Sequence, residues 1–363
     1  MKLISVLRKS RKRILIIKID AVGDYILFRN FIQAVKTSDK YKNYEIDLCG
    51  NTAWKDITVE YDSEWIGEAF FVELNDIYER PIDLLKLGWQ LFKRRYEVVL
   101  QPTYTRTLLN DGLAALACSD HLTGFQSDNE RILPRYKKKM DLFYTDLLLL
   151  PPDIHFEFYR NKFFFETALS QKIELIKPVI ATAKQKGNYV AIVPGAGSVK
   201  REWGAENFSV VIRQILARTN YDVIILGSQS ERNLAQVIVA MTGDNRVTSI
   251  AGKTTLPEVI HTISAAECVI TNDTSAIHIA AACNTPAVCI HGVAHYKRFI
   301  PYPEELSRNL RFVYTMMPCY NCNWYCIYET KKEEPYPCIS VNTVDQAQSA
   351  FFEIMSHNPV VNN

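Results

Sequence analysis

Two apolar patterns alternate along the chain: short, nearly unbroken runs, and stretches in which apolar positions recur every three or four residues. The runs at 14–19 (ILIIKI), 45–49, 70–74 and 97–101 predict strands, and the periodic stretches at 24–36, 82–95 and 106–118 predict helices between them. Residues 121–125 read as extended and 131–139 as a basic loop. The aromatic-rich stretch 156–169 is apolar nearly all round, which predicts a helix packed between other elements. After a polar stretch at 181–188 the pattern restarts, with strands at 189–193, 222–226 and 247–250 and helices at 206–218, 231–241 and 256–264. The segment 265–292 (AAECVITNDTSAIHIAAACNTPAVCIHG) carries a strand at 267–271, a small-residue helix ending near Cys283 and a second strand at 287–291. A helix at 344–355 closes the chain. Strand and helix alternating twice predicts an α/β protein of two Rossmann-like, doubly wound domains, 1–180 and 181–363, facing across a cleft. The last helix is free in this reading to pack back on the first domain.

Composition agrees with that division. A chain of 363 residues exceeds the size of roughly 250–300 at which single cores stop growing. Its 48% hydrophobic and 23% charged residues are those of a soluble globular protein. No run of about 18 apolar residues is present to span a bilayer. The opening MKLISVLRKSRKR has neither a long apolar core nor a small-residue cleavage site, so no signal peptide is read. Nine cysteines, an odd number mostly in apolar segments, suit a reducing compartment, and a cytoplasmic protein is expected. The net charge is only +2, yet Lys2, Arg8, Lys9, Arg11, Lys12, Arg13, residues 93–95 and 135–139 concentrate bases in the N-terminal half. They form either a solvated surface or a face that meets an anionic glycolipid or the cytoplasmic surface of a membrane. Without aromatic interleaving or a recognisable module, a nucleic-acid partner is not expected.

Candidate chemistry gathers where strands end. Asn272 and Asp273 suit a helix N-cap, Thr274 and Ser275 bring hydroxyls to the first turn, and unpaired N–H groups there favour an anion such as phosphate. His278 follows on the same helix. An ordinary capped helix with a buried histidine would show the same residues. Two further loops join it: Gly195 and Gly197 with Ser198, Lys200 and Arg201, and Gly227 with Ser228. Glycine permits close backbone approach and a base supplies charge, so three such loops at one sheet edge make a diphosphate site. Neither a Walker P-loop nor a GxGxxG fingerprint is present. At the first strand end, Asp20 closes the strand and Asp24 opens the helix; Asp24 either complements the helix dipole or serves as a general base. Cys319, Cys322, Cys326 and Cys338, spaced x2, x3 and x11, admit a structural zinc ion, local packing or redox-labile pairs.

Taken together, these segments resemble glycosyltransferase family 9, the heptosyltransferases of the lipopolysaccharide core. IKIDAVGDYILFRNFIQAVK is similar to the family's strand, Gly-Asp turn and helix; PGAGSVKREWGAENFSVVI is similar to its phosphate loop; and TNDTSAIHIAAACNTPAVCIHG is similar to its Asn-Asp-Thr-Gly signature. The PCYNC segment also resembles one found in members. The resemblance implies the GT-B architecture and inverting, metal-independent transfer of a sugar from an ADP-linked donor to a lipopolysaccharide-core or other glycan hydroxyl. It implies Asp24 as the base, with Asp20 as a competitor because Ser or Thr is frequent there. Arg201, with Lys200 beside it, would bind phosphate. Asp273, Thr274, Ser275 and His278 would hold the diphosphate and sugar; Thr254 would face the nucleotide base, and residues 228–231, ending at Glu231, the ribose. Ser275 replaces the usual Gly. A sugar-nucleotide 2-epimerase and a catalytically silent nucleotide-sugar-binding protein are the alternatives.

Overall fold

The computed structural model of the chain describes residues 9, 11–74, 77–182 and 185–357; the leader bases Lys2 and Arg8 lie outside them. The chain forms two compact units, divided in sequence between Ile176 and Lys177.

The first unit runs β1 (Arg11–Lys18), α1 (Val22–Ile26), α2 (Asn30–Thr37), β2 (Glu45–Asn51), α3 (Lys55–Tyr61), β3 (Ala69–Val72), α4 (Pro81–Arg94), β4 (Tyr96–Gln101), α5 (Leu108–Ala117), β5 (His121–Phe125), α6 (Pro134–Asp141), β6 (Asp146–Leu148) and α7 (Glu157–Leu169). Its strands form one parallel sheet in the order β3-β2-β1-β4-β5-β6. The central strand explains its own sequence: Ile14, Leu15, Ile16 and Ile17 are all fully buried because helices cover both sheet faces.

The expected helix at 24–36 is two helices. The chain tightens between α1 and α2, and Asn161 of α7 donates to the Leu27 carbonyl in that break. The aromatic stretch is core: Phe31 stacks on Phe165 and tilts against Phe158, both fully buried on α7. The expected basic loop at 131–139 is largely the helix α6, which begins with Pro134 at its first turn and buries none of its residues.

The second unit runs β7 (Tyr189–Val193), α8 (Ala205–Arg218), β8 (Asp222–Ile225), α9 (Arg232–Thr242), β9 (Val247–Ser249), α10 (Leu256–Ala265), β10 (Cys268–Asn272), α11 (Ser275–Cys283), β11 (Ala287–Ile290), β12 (Leu310–Val313), α12 (Pro337–Ser340) and α13 (Val344–His357). The parallel sheet has the order β12-β11-β10-β7-β8-β9, which repeats the first unit's winding. The closing helix α13 belongs to this unit's core, with Ala347, Phe351 and Ile354 fully buried among the side chains of α8 and the sheet. Among the described residues no helix is long and apolar enough to cross a membrane.

Candidate active site

In the first unit the carboxyl edge of the sheet gathers charge. Lys18, the last residue of β1, is fully buried, and its Nζ lies 2.9 Å from Asp20 Oδ2. Burial alone lowers its pKa, but attraction from Asp20, Glu157 and Asp24 outweighs that and leaves it raised, so the ammonium stays charged. Thr103 Oγ1 donates to the same Asp20 oxygen at 2.8 Å. One oxygen of Asp20 therefore takes both an ion pair and a hydrogen bond. Asp24 stands half-buried in the first turn of α1, within reach of the Lys18 charge. Beside them Gln101, the final residue of β4, is fully buried, and neither side-chain amide atom has a hydrogen-bond partner. Such a group costs about 1–3 kcal/mol per unmade bond unless something else satisfies it. A glutamine closing an apolar run was the one sequence signal that could have found it.

In the second unit the three loops come together. Asn272 does not cap α11. Its side chain donates to the carbonyls of Pro194 and Gly195 and accepts from Trp203 N at 3.3 Å, tying the end of β10 to the glycine loop. The cap is Thr274, whose hydroxyl accepts from Ala276 N at 3.2 Å and lies 3.2 Å from Thr271 Oγ1. Ser275 opens the helix. Ser198 caps the short turn that follows Gly197 by accepting from Lys200 N.

A Cβ at 195 would stand 1.9 Å from Glu231 Oε1 and 2.2 Å from its Cδ, so glycine there lets the carboxylate approach; at 197 a Cβ would meet only the mobile end of Arg201, Nη2 at 2.3 Å. Glu231 and Ser228 form a capping box, so the Glu231 carboxylate is fixed between the Gly195 and Ser228 loops. Glu202 was not expected in the site. Its carboxylate accepts from the Ala196 amide, while burial and the charge of Glu231 push its pKa up.

The two bases after the glycine loop separate. Lys200 Nζ donates to Thr330 Oγ1 (2.6 Å), Lys331 O (2.9 Å) and Thr330 O (3.4 Å), so its three protons serve the segment 318–336. Arg201 instead lies beside Gly197, packs over the Trp324 ring at 5.1 Å and acts electrostatically on Asp273. Burial pushes the Asp273 carboxyl up to about 6, with Arg201 opposing. His278 is buried, its Nδ1 2.9 Å from Tyr302 Oη, and burial lowers it to about 4, leaving a neutral imidazole. Thr254 Oγ1 is buried without a hydrogen-bond partner.

Cys319, Cys322, Cys326 and Cys338 are free thiols, and burial followed by their mutual proximity raises Cys338. Among the described residues no three His, Cys, Asp or Glu side chains form a group that could hold a metal ion, so the four thiols as placed do not make a zinc site.

Two consecutive doubly wound units, each with polar groups collected at the carboxyl edge of its sheet, define the GT-B class. The chain belongs to glycosyltransferase family 9 (heptosyltransferase), whose model matches residues 137–324. It is 33% identical over 133 residues to lipopolysaccharide heptosyltransferase 3 of Escherichia coli; that match covers 36% of this chain and 39% of the relative. The fold is similar to that of E. coli ADP-heptose lps heptosyltransferase II, with a TM-score of 0.72 at 17% identity, covering 96% of this chain and 100% of that one. It is also similar to the E. coli heptosyltransferase WaaC with ADP-2-deoxy-2-fluoro heptose, with a TM-score of 0.69 at 15% identity over 95% and 99% of the two chains.

Proposed function

We propose that the protein is an inverting glycosyltransferase that moves heptose, or a closely related sugar, from an ADP-linked donor to a hydroxyl of a lipopolysaccharide-core or similar glycan. The observation that carries this reading is the second unit's assembly of Arg201, the Gly195–Gly197 loop and the Thr274-capped start of α11. A diphosphate there meets one unshared guanidinium and a set of helix N–H groups. Glu231, held between two loops, is suited to accept from ribose hydroxyls, and the unpartnered Thr254 hydroxyl to meet the base.

In the reaction, the acceptor oxygen attacks the anomeric carbon as the bond from that carbon to the diphosphate oxygen breaks. Asp24 takes the hydroxyl proton, and Arg201 with the helix start stabilises the charge on the departing ADP. Asp20 is assigned to holding Lys18 and Thr103 rather than to proton transfer. Neutral His278 donates or accepts a hydrogen bond but carries no charge to the diphosphate. Lys200 is assigned to the segment it holds. No step runs through a metal, and any ion on the four cysteines would be structural, requiring them to close up.

The acceptor in this reading is lipid-linked, which puts the protein at the cytoplasmic face of the inner membrane. Calorimetric titration with ADP-heptose and with UDP-, GDP- and TDP-sugars tests the donor half. Binding confined to the ADP-sugar and weakened about 10- to 100-fold in Arg201→Ala, the usual worth of a charge-assisted bond, is expected. Unchanged affinity in Arg201→Ala would remove it from the phosphate site.

A further inference from the structure

We infer that the helical layer α4–α6 of the first unit is a docking surface for an anionic lipid bilayer. These helices form one layer: Gly88 of α4 packs directly on Leu116 of α5, where a Cβ would come within 2.6 Å, and Arg106 at the start of α5 bonds Asp141 at the end of α6 at 2.7 Å.

The outer side of that layer is apolar where solvent should favour polar residues. On α4, Leu91 and Phe92 are buried and Gly88 faces Leu116, which accounts for the inner face. The flank beside that inner face presents Ile82, Leu85 and Trp89, spaced three and four apart, with Ile82 65% and Trp89 49% exposed, while the face turned away from Gly88 carries Lys86, Gln90 and Lys93. The apolar stripe of α4 is therefore wider than its buried contacts use. Around α6 the same holds: Leu133, Tyr136, Leu142 and Phe143 are exposed, with Leu142 at 78%. That is more large apolar surface than isolated exposed residues explain.

Charge identifies the partner. Lys93 is exposed on α4, where Lys86 pairs with Asp83 at 3.6 Å, and Arg131, Arg135, Lys138 and Lys139 are exposed on or beside α6. Large aliphatic and aromatic side chains with interleaved bases are the composition of a helix lying in a membrane interface, where the rings sit at headgroup level and the bases meet lipid phosphates. A folded protein partner would need a complementary acidic, apolar surface; an anionic bilayer supplies both chemistries at once. The α6 helix fully buries none of its own residues, so docking would add to its apolar contacts.

The inference rests on the transferase reading only for the idea of a lipid-linked acceptor, and its test uses neither donor nor acceptor. The full-length protein is cosedimented with vesicles of phosphatidylglycerol and phosphatidylethanolamine, and with vesicles of phosphatidylcholine alone. Binding to the anionic vesicles that weakens with salt is expected. Lys138→Glu with Lys139→Glu should weaken it by about tenfold or more, each base near such a surface being worth about fivefold. Leu85→Ser with Trp89→Ser should weaken it by about tenfold or more through lost apolar burial, with an unchanged far-ultraviolet circular dichroism spectrum and a cooperative melt as evidence of folding. No vesicle binding by the wild type, or binding unchanged in both variants, overturns the proposal. A dimer in solution that the Leu85→Ser, Trp89→Ser variant dissociates, with vesicle binding unaffected, also overturns it and makes this face a contact between copies.

Discussion

The two units share one winding and differ in what holds their polar interiors. The first is cemented by ions. Arg106, fully buried, bonds Asp111 at 2.9 Å and Asp141 at 2.7 Å; Arg29 pairs with Asp62, which also accepts from Tyr25; and Asp47 accepts from Arg94 and Tyr96. The second is cemented by neutral groups. Asn272 links two loops, Trp203 Nε1 donates to Asn342 O at 2.7 Å, Asn342 donates to His291 O at 3.2 Å, and His278 and His291 are both held near 4 by burial, hence uncharged at neutral pH. One topology therefore accepts either cement. The unit proposed to bind a diphosphate keeps its buried frame uncharged, and its charges, Arg201 with Asp273, Glu202 and Glu231, stand at the loops.

The sharpest way to break the comparison is to separate the chemistry assigned to each unit. Asp24→Asn is expected to leave ADP-sugar affinity unchanged and to cut transfer by about 10²- to 10⁴-fold, the range of a lost general base. Single-turnover kinetics beside calorimetry reads both quantities. Transfer at the wild-type rate would place the base elsewhere.

Stability gives the next contrast. Arg106→Met strands Asp111 in a fully buried site and should destabilise the protein by about 3–5 kcal/mol. Arg311→Ala removes an exposed pair with Glu353 in the second unit and should cost no more than about 1 kcal/mol. Urea denaturation of both variants measures the difference; equal losses would mean that the ionic and neutral frames are not distinct in energy.

The smaller effect is pH-dependent and runs through the second unit. His278 and His291 have folded-state values near 4, below the ordinary 6.5, so the folded protein binds fewer protons than the unfolded chain between those values. Their contribution is complete above pH 6.5 and is lost as the pH falls towards 4, by up to about 3 kcal/mol per histidine. Asp273, raised to about 6, works in the opposite direction over part of the same window. Melting temperatures between pH 7 and 4.5 should fall, and the fall should shrink in His278→Asn. An identical acid limb in that variant would count against its burial as a neutral group.

Much of this was legible in the sequence, and most of the exceptions have physical causes. Strands buried on both faces announce themselves as apolar runs, so β1, β4, β7 and β10 were read within a few residues. The strands β6 and β12 were not, although the edge strands β3 and β9, of the same lengths, were. The α6 helix was read as a loop because periodicity reports a buried face and this helix has none. At the site, the residue types and their loops were visible but the partners were not. Capping chemistry pointed to Asn272 and Asp273 as readily as to Thr274, and only geometry shows Asn272 fastening the glycine loop instead. Lys200 and Arg201 are neighbours of like charge, separated by a segment 130 residues further on that takes one and leaves the other. The close approach that glycine allows at 195 is to Glu231, 36 positions away and in another loop.

Each unit is continuous in sequence, with one crossing between Ile176 and Lys177, and even the terminal helix stays with the second sheet's core. Recombination between relatives can therefore exchange a whole half at a single breakpoint, without cutting a sheet or orphaning a helix. Under the proposed division of labour, a lineage built this way would change its acceptor by replacing one half of the gene while the other went on recognising the same donor.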